Sequence, residues 1–279
     1  MNMPQELISS RQNPLIALAV KLADRKHRER EGLFRFDGKK LFFEALAQGL
    51  PLTAVLIKQS AAEAIVQAAG GHSLPEGCRA VLVPDELFAR ISEERAPEGV
   101  IGLCKHLTAL HTSTDATLWH AQMGALKGAR LVFLESVRDP GNLGTIIRAA
   151  RAFGVDTLVL SADCADIYNP RVLRAAMGTI FGQRILVAND LAEIIALHGT
   201  QSRVFAATLT EHAARLGEMS LVPGDAVVIG NEGHGLSEAV ISAATDCIYI
   251  PMEPGVESLN AGVAASVLMW ELYRGGCRG

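Results

Sequence analysis

The chain has 279 residues, of which 49% are hydrophobic and 20% charged, and its net charge is −4. This length allows two domains, and the composition is typical of a soluble folded protein and excludes a disordered one. No apolar run is long enough to span a bilayer, and the first residues lack a basic-then-apolar signal pattern, so we expect a cytoplasmic protein with no membrane partner.

Basic residues concentrate near the N-terminus. Residues 1–40 carry nine Lys and Arg against five acids, a net charge of +4, whereas the remainder carries 17 against 25, a net charge of −8. A basic patch on an acidic body is typical of a protein that contacts phosphate with one module. A solvated helix face with internal ion pairs explains the same charges equally well.

Residues 1–106 alternate short strands with helical patterns, which predicts a small α/β domain. The predicted helices are a basic one at Pro14–Glu31, then Lys40–Ala47 and Ala61–Ala69, and the predicted strands are Leu33–Phe36, Ala54–Ile57 and Ala80–Val83. Between residues 107 and 128 the pattern weakens, and we interpret this segment as a linker with room for one short helix.

From residue 129 to 279, short apolar runs recur with helical patterns between them. Strands without alternating polar residues are typical of a parallel sheet that is covered on both faces. The predicted strands are Leu131–Leu134, Thr157–Leu160, Ile185–Val187, Val204–Ala207, Ala226–Ile229 and Ile248–Ile250. The predicted covering helices are Thr145–Phe153, Pro170–Met177, Leu191–His198, Ser237–Ala244 and Asn260–Leu272.

Three loops follow strands of this predicted sheet, at the edge where open α/β sheets bind ligands. The first contains Asn142, placed to cap the next helix, and Arg148, about one turn inside that helix. An arginine there suits a phosphate or carboxylate, which it can hold through two parallel hydrogen bonds. A structural turn with a surface arginine is the alternative interpretation.

The second loop, residues 228–238, has three glycines that would let backbone amides approach a ligand closely. Its spacing matches neither the dinucleotide-binding fingerprint nor a P-loop. Ser237 can cap the following helix, whereas Glu232 among the glycines indicates a carboxylate that orients a ligand. His234 has no companion at a spacing suited to a metal or a nucleophile, and the five scattered cysteines predict free thiols and no metal site.

The third loop runs from Ile250 to Asn260 and contains two prolines, which stiffen it and prevent it from continuing the strand. It delivers Ser258 and Asn260 immediately before the apolar helix Ala261–Leu272. Capping of that helix is a sufficient structural reason for both residues. The order of the three loops, each at the end of a strand, favours a shared ligand site.

These three loops resemble, in order, the motifs of the SpoU (TrmH-type) RNA ribose 2′-O-methyltransferases of the SPOUT class. The matching segments are Asn142-x-Gly144-x-x-x-Arg148, Gly230 to Ser237, and Ile250-Pro251-Met252 with Ser258-Leu259-Asn260. The N-terminal half is similar to that family's ribosomal-protein-like substrate-binding domain, through Ser9-Ser10-x-x-Asn13-Pro14 and Phe34-x-x-Asp37-Gly38-x-Lys40. A small departure is Gly262 where the family often has Ser or Ala.

The resemblance implies a parallel-sheet SPOUT domain with a C-terminal trefoil knot, S-adenosylmethionine as cofactor, RNA as substrate and a homodimer of knotted domains. The implied catalytic residues are Arg148, Asn142, Glu232, Ser258 and Asn260. The implied cofactor-binding residues are Gly230, Ile250, Leu259, Thr208, Asn231, Gly233 and Met252. The implied RNA-binding residues are Arg11, Asn13, Lys21, Lys26, Arg28 and Lys40.

The family counterpart of Arg148 is proposed as a general base, which fits poorly with a guanidinium pKa above about 12. We expect Arg148 instead to hold the phosphate beside the target ribose and to stabilise the developing alkoxide. The two-domain layout resembles ribosomal-RNA members, so rRNA is the expected substrate. A tRNA methyltransferase and a catalytically silent RNA-binding relative remain alternatives, while the missing fingerprint argues against a nucleotide-dependent dehydrogenase.

Overall fold

Many helices begin where an Asn, Asp or Ser side chain accepts a hydrogen bond from a free first-turn amide. The structure is a computed structural model that describes residues 2–231, 233–256 and 258–276. Its helices are α1 Pro14–Lys21, α2 Arg25–Glu31, α3 Lys39–Ala47, α4 Ala62–Ala68, α5 Asp85–Ile91, α6 Ala116–Leu126, α7 Pro140–Ala152, α8 Pro170–Ala176, α9 Leu191–Gly199, α10 Glu238–Ala243 and α11 Ala261–Gly276. Its strands are β1 Leu33–Asp37, β2 Leu52–Lys58, β3 Arg79–Val83, β4 Val100–Lys105, β5 His111–Thr114, β6 Leu131–Leu134, β7 Thr157–Ser161, β8 Arg184–Ala188, β9 Val204–Ala207, β10 Ala214–Arg215, β11 Ala226–Ile229 and β12 Asp246–Tyr249.

The chain forms two compact units. Unit 1 comprises Met1–Leu107 and Asp166–Gly182, and unit 2 comprises Thr108–Ala165 and Gln183–Gly279. Unit 1 contains a four-stranded sheet in the order β1-β4-β2-β3, in which only the β2–β3 pair is parallel. One face of that sheet packs against α1 and α5 through an aliphatic and aromatic core.

Unit 2 is built on an eight-stranded sheet in the order β10-β12-β9-β11-β6-β7-β8-β5, and every neighbouring pair is parallel. Alternate strand residues such as Phe133 and Val228 join side chains of α6, α9 and α10 in one buried core. On the other side, α11 packs against α7 and β11. The predicted parallel sheet with helical cover is therefore confirmed.

The basic segment Pro14–Glu31 was predicted as one helix, and this prediction is wrong. It forms two helices, α1 and α2, because the Asp24 carboxylate accepts a hydrogen bond from the backbone N of Lys26 at 2.9 Å and starts a new helix. Helix α7 likewise begins earlier than Thr145. Pro140 occupies its first turn, where the fixed φ of proline favours a helix start.

Residues 166–182 lie between β7 and β8 in the chain, yet they pack with unit 1. The Tyr168 ring stacks on Phe34 with centroids 4.6 Å apart, and the Tyr168 hydroxyl accepts a hydrogen bond from the Leu107 backbone N at 2.7 Å. The sequence predicted that helix α8 covers the parallel sheet, and this is wrong, because α8 packs against β1. The segment 108–128, interpreted as a linker, supplies β5 and α6 to unit 2.

The core of unit 2 contains a buried histidine. His198 is 3% exposed, its Nε2 has no hydrogen-bond partner among the described residues, and its ring contacts Trp119. Burial lowers the pKa of His198 below its usual value, because the charged imidazolium is poorly solvated there. The folded core therefore favours the neutral form of His198.

We expect unit 2 to lose stability as the pH falls below about 6.5, where the unfolded state binds the proton that folded His198 resists. The slope contributed by this residue is at most about 1.4 kcal/mol per pH unit. Both tryptophans, Trp119 and Trp270, lie in unit 2, so urea unfolding followed by tryptophan fluorescence measures this effect. A His198→Gln variant should show a flatter dependence, and an unchanged slope would contradict this explanation.

Candidate active site

Three loops of unit 2 follow strands that lie close together in the sheet. We name them loop 1 (residues 135–139, after β6), loop 2 (residues 230–237, after β11) and loop 3 (residues 250–260, after β12). Because β6, β11, β9 and β12 are neighbours in one parallel sheet, all three loops emerge at the same edge. This is the sheet edge at which the sequence predicted a ligand site.

Loops 1 and 2 are joined by side-chain hydrogen bonds. The Glu135 carboxylate accepts from the backbone N of Ser237 at 2.8 Å and from its hydroxyl at 2.6 Å. The Asn231 side-chain amide donates to the carbonyl of Ser136 at 2.9 Å. Ser237 also caps α10, as predicted, by accepting from the backbone N of Val240 at 3.3 Å.

Loop 3 is tied to the start of α7 through two asparagines. The Asn260 amide donates to Oδ1 of Asn142 at 2.9 Å, while its own Oδ1 accepts from the backbone N of Gly262 at 3.0 Å. Asn260 therefore caps α11 and also positions Asn142. Asn142 itself was predicted to cap α7, and this is wrong: Asp139 accepts from the backbone N of Asn142 at 2.8 Å and performs that role.

A cavity of about 510 Å³ lies between loops 2 and 3. Among its lining residues are six of the predicted cofactor-binding residues, namely Thr208, Gly230, Asn231, Ile250, Met252 and Leu259. Ser258 also lines it, whereas Gly233 does not. The sequence prediction did not include other lining residues such as Leu209, Tyr249, Glu253 and Ala264, which carry no recognisable motif.

Gly230 shows why loop 2 is rich in glycine. A Cβ at this position would lie 2.5 Å from both the C and O atoms of Gly235 and 2.8 Å from the backbone N of Leu236. The close approach is made by a tight turn, in which the backbone N of Asn231 donates to the carbonyl of Gly235 at 3.1 Å and the reverse bond measures 2.9 Å. The cavity wall is thus main chain at this point.

The other predicted catalytic residues occupy different places. Arg148 is exposed on α7, about two turns from its start, and its side chain forms no hydrogen bond or ion pair with any residue that the structure describes. It is also absent from the residues that line the cavity. Glu232 lies outside the described residues. The structure therefore brings together Asn142 and Asn260, places Ser258 in the cavity wall and leaves the Arg148 guanidinium open to solvent.

An unpredicted polar cluster lies beside loop 1. Asp163, which follows β7, accepts hydrogen bonds from the hydroxyls of Ser136 and Ser161, both at 2.6 Å, and from Arg138 at 2.7 Å. Partial burial raises the pKa of Asp163, but these donors outweigh it and lower the pKa to about 2. Only the position of Asp163 after a strand of the sheet could have indicated it from the sequence.

The predicted RNA-binding residues lie in unit 1. Arg11, Lys21 and Lys26 are exposed, Lys40 is exposed and pairs with Glu44, and Asn13 accepts a hydrogen bond that caps α1.

Arg28 corrects this set because it is only 2% exposed. Its guanidinium donates to Asp166 and to the carbonyls of Leu22 and Ala23, the latter two at 2.8 and 2.7 Å. Arg28 is therefore a structural residue that cannot reach RNA.

Across residues 2–231, 233–256 and 258–276, no three His, Cys, Asp or Glu side chains group so that they could hold a metal ion. Within the same residues, no helix is long and apolar enough to cross a membrane. The four described cysteines, Cys78, Cys104, Cys164 and Cys247, are free thiols, as predicted. Cys277 lies outside the described residues.

Comparison with models of protein families identifies the family of this chain. A model of the SpoU rRNA Methylase family matches residues 129–270, which include all three loops. The chain belongs to this family. It is therefore an RNA methyltransferase, and the resemblance stated from its motifs is confirmed. A model of the MRM3-like substrate binding domain matches residues 13–102, within the N-terminal half.

Relatives of this SpoU family member match nearly the whole chain. An uncharacterised tRNA/rRNA methyltransferase of Synechocystis is 31% identical over 277 residues, covering 96% of this chain and 93% of the relative. The 23S rRNA (guanosine(2553)-2′-O)-methyltransferase RlmP of Bacillus subtilis is 29% identical and covers 95% and 98%. Among solved structures, a putative TrmH-family RNA methyltransferase of Porphyromonas gingivalis and an AdoMet-bound rRNA methyltransferase of Sinorhizobium meliloti each give a TM-score of 0.78 at 26% identity, covering 96% of this chain and 99% and 97% of theirs.

Proposed function

We propose that this protein transfers the methyl group of S-adenosylmethionine to a ribose 2′-hydroxyl in ribosomal RNA. The observation that carries the proposal is the cavity between loops 2 and 3. Main chain forms its wall at Gly230, and loop 3 is joined to α7 by the Asn142–Asn260 hydrogen bond. The names of the Bacillus subtilis and Sinorhizobium meliloti relatives support rRNA as the substrate and AdoMet as the cofactor.

The cavity fits this cofactor in size and chemistry. Its volume of about 510 Å³ lies in the range of pockets that enclose a small organic ligand. Apolar side chains such as Ile229 and Ile248 suit an adenine ring, and the missing Cβ of Gly230 leaves room for a ligand against the backbone. Gly230, Ile250 and Leu259 would hold the adenosyl group, with Thr208, Asn231 and Met252 around it.

When bound, S-adenosylmethionine supplies a methyl group on a positively charged sulfur. The protein must hold the ribose hydroxyl in line with that methyl group and stabilise the charge that develops on the oxygen. Arg148 is suited to the phosphate beside the target ribose, because its guanidinium is exposed and without a partner among the described residues. Asn142, Ser258 and Asn260 fix the mouth of the site, and Glu232 keeps its predicted orienting role.

We assign RNA binding to unit 1 and methyl transfer to unit 2. Unit 1 contains the whole of the proposed RNA-binding domain, residues 1–106, and presents Arg11, Lys21, Lys26 and Lys40 to phosphate. We assign methyl transfer to residues 129–279, of which 129–165 and 183–279 belong to unit 2 together with β5 and α6 from the segment 107–128. This layout supports rRNA over tRNA.

We also infer a homodimer through the knotted domain that the family resemblance implies. Helix α11 leaves large apolar side chains exposed, with Val263 at 50%, Trp270 at 46% and Tyr273 at 37%. Phe153, the residue after α7, joins this strip, because the centroid of its ring lies 5.8 Å from that of Trp270. An exposed apolar strip of this kind is typical of a protein interface, and a second copy of unit 2 is the partner that we propose for it.

The test is transfer of a tritiated methyl group from S-adenosylmethionine to rRNA and, separately, to tRNA, both taken from cells that lack the protein. We expect an alkali-stable product, because a methylated 2′-oxygen cannot attack the neighbouring phosphodiester. Calorimetry should show binding of S-adenosylmethionine and none of NAD. Label found only in tRNA would reject the rRNA assignment, and RNA binding without any transfer would identify a catalytically silent relative.

A further inference from the structure

Ser136 has an unusual backbone conformation. Its φ is +54°, and among the described residues only Met177 is a further non-glycine residue with positive φ. Residues with a Cβ avoid this left-handed region, because the Cβ crowds the neighbouring carbonyl oxygen. Contacts from the surrounding structure must therefore hold Ser136 in place.

Those contacts converge on one carboxylate. The Ser136 hydroxyl donates to Asp163 at 2.6 Å, and the Ser136 backbone N donates at 2.9 Å to Ser161, whose hydroxyl donates to Asp163 at 2.6 Å. Asp163 thus holds Ser136 directly through the side chain and indirectly through the backbone. Because its pKa is lowered to about 2, Asp163 is charged near neutral pH, which strengthens the hydrogen bonds that it accepts.

The conformation of Ser136 influences two parts of the candidate site. Its carbonyl accepts the hydrogen bond from Asn231, a residue of the cavity wall. The course of the backbone at Ser136 also sets how the chain enters α7, which begins four residues later and carries Asn142 and Arg148. A change of φ at Ser136 would therefore move Asn231 and the start of α7 relative to each other.

We propose that Asp163 is a positioning residue for methyl transfer, an inference that rests on the proposed function. Asp163 holds Ser136 in the left-handed conformation that aligns loop 1 with loop 2. Asp163 is not among the residues that line the cavity, and we assign it no contact with cofactor or RNA. Without the carboxylate, Ser136 would relax to negative φ and turn its carbonyl away from Asn231.

The test compares Asp163→Ala with the double variant Asp163→Ala/Ser136→Gly. We expect Asp163→Ala to lower kcat about tenfold, which corresponds to about 1.4 kcal/mol and lies in the range for a residue released from a strained conformation. KM for RNA should stay unchanged. Glycine adopts positive φ without support, so Ser136→Gly should restore kcat to within about threefold of wild type.

Met177→Gly is the matched control, because it removes the same backbone strain in unit 1. In the Asp163→Ala background it should restore nothing. An unchanged kcat in Asp163→Ala, a loss that Ser136→Gly does not rescue, or an equal rescue by Met177→Gly would each overturn the proposal. If Asp163→Ala fails to fold by circular dichroism, Asp163→Asn takes its place in the same series.

The proposed function can fail separately. If the wild-type protein transfers no methyl group and binds no S-adenosylmethionine, the proposed function is rejected, and the φ of Ser136 in a crystal structure of the Asp163→Ala variant then decides the structural claim. A negative φ there supports the role of Asp163, and a φ that stays positive overturns it.

Discussion

Arg148→Ala is expected to reduce kcat by about 10²- to 10³-fold, the loss typical of removing one donor that stabilises developing charge. The affinity for S-adenosylmethionine should change less than about threefold, because Arg148 does not line the cavity. The kcat of Arg148→Lys should lie between those of wild type and Arg148→Ala, since lysine keeps the charge but loses the paired donors of the guanidinium. Single-turnover methyl transfer and calorimetry measure the two quantities separately.

Arg151 is the matched control for this prediction. It is exposed on the same helix, one turn further from the loops, and its side chain has no hydrogen bond or ion pair with a described residue. Arg151→Ala should leave kcat within about threefold, as expected for a surface substitution. Equal losses from Arg148→Ala and Arg151→Ala would show that α7 contributes only general positive charge.

Gly230→Ala is expected to weaken S-adenosylmethionine binding by more than about tenfold and to destabilise unit 2 by about 1–3 kcal/mol, the range for overpacking. The added Cβ would lie 2.5 Å from backbone atoms of Gly235, and backbone cannot rotate aside as a flexible side chain can. The turn of loop 2 must therefore shift, and the cavity wall shifts with it. Calorimetry with the cofactor and thermal unfolding measure these losses.

Gly233→Ala tests the same substitution in the same loop at a position with room. A Cβ there meets only Oδ1 of Asn231, at 3.4 Å, and Gly233 does not line the cavity. Cofactor affinity should stay within about threefold of wild type, as for other surface substitutions. If both alanine variants bind the cofactor normally, the cavity between loops 2 and 3 is not the cofactor site.

The strands of unit 2 were predictable because their signals are local. Runs such as Leu131–Leu134 and Ala226–Ile229 are apolar throughout, as strands buried on both faces must be, and both have the predicted bounds in the structure. In unit 1, β4 and α5 were not predicted. The apolar run of β4, Val100–Lys105, begins directly after the turn-forming residues Pro97-Glu98-Gly99.

The site was predictable where a residue type is tied to backbone shape. Glycines and prolines mark loops 2 and 3, and Gly230 and Ile250, which were predicted to share a ligand site, both line one cavity. Asp163 was missed because its partners, Ser136 and Ser161, come from other segments and share no spacing with it. Arg28 was misassigned because a basic residue in a basic helix gives no sign that a distant Asp166 will bury it.

The sequence by itself determined the family, the parallel sheet and the three loops, because each follows from residue types close together in the chain. Only the tertiary structure decided that residues 166–182 pack with unit 1, that Asn142 and Asn260 share a hydrogen bond, and that Ser136 adopts a left-handed conformation. These features depend on contacts between residues far apart in the chain, such as Asn142 and Asn260, whose sequence separation is 118. Local propensity carries no information about such contacts.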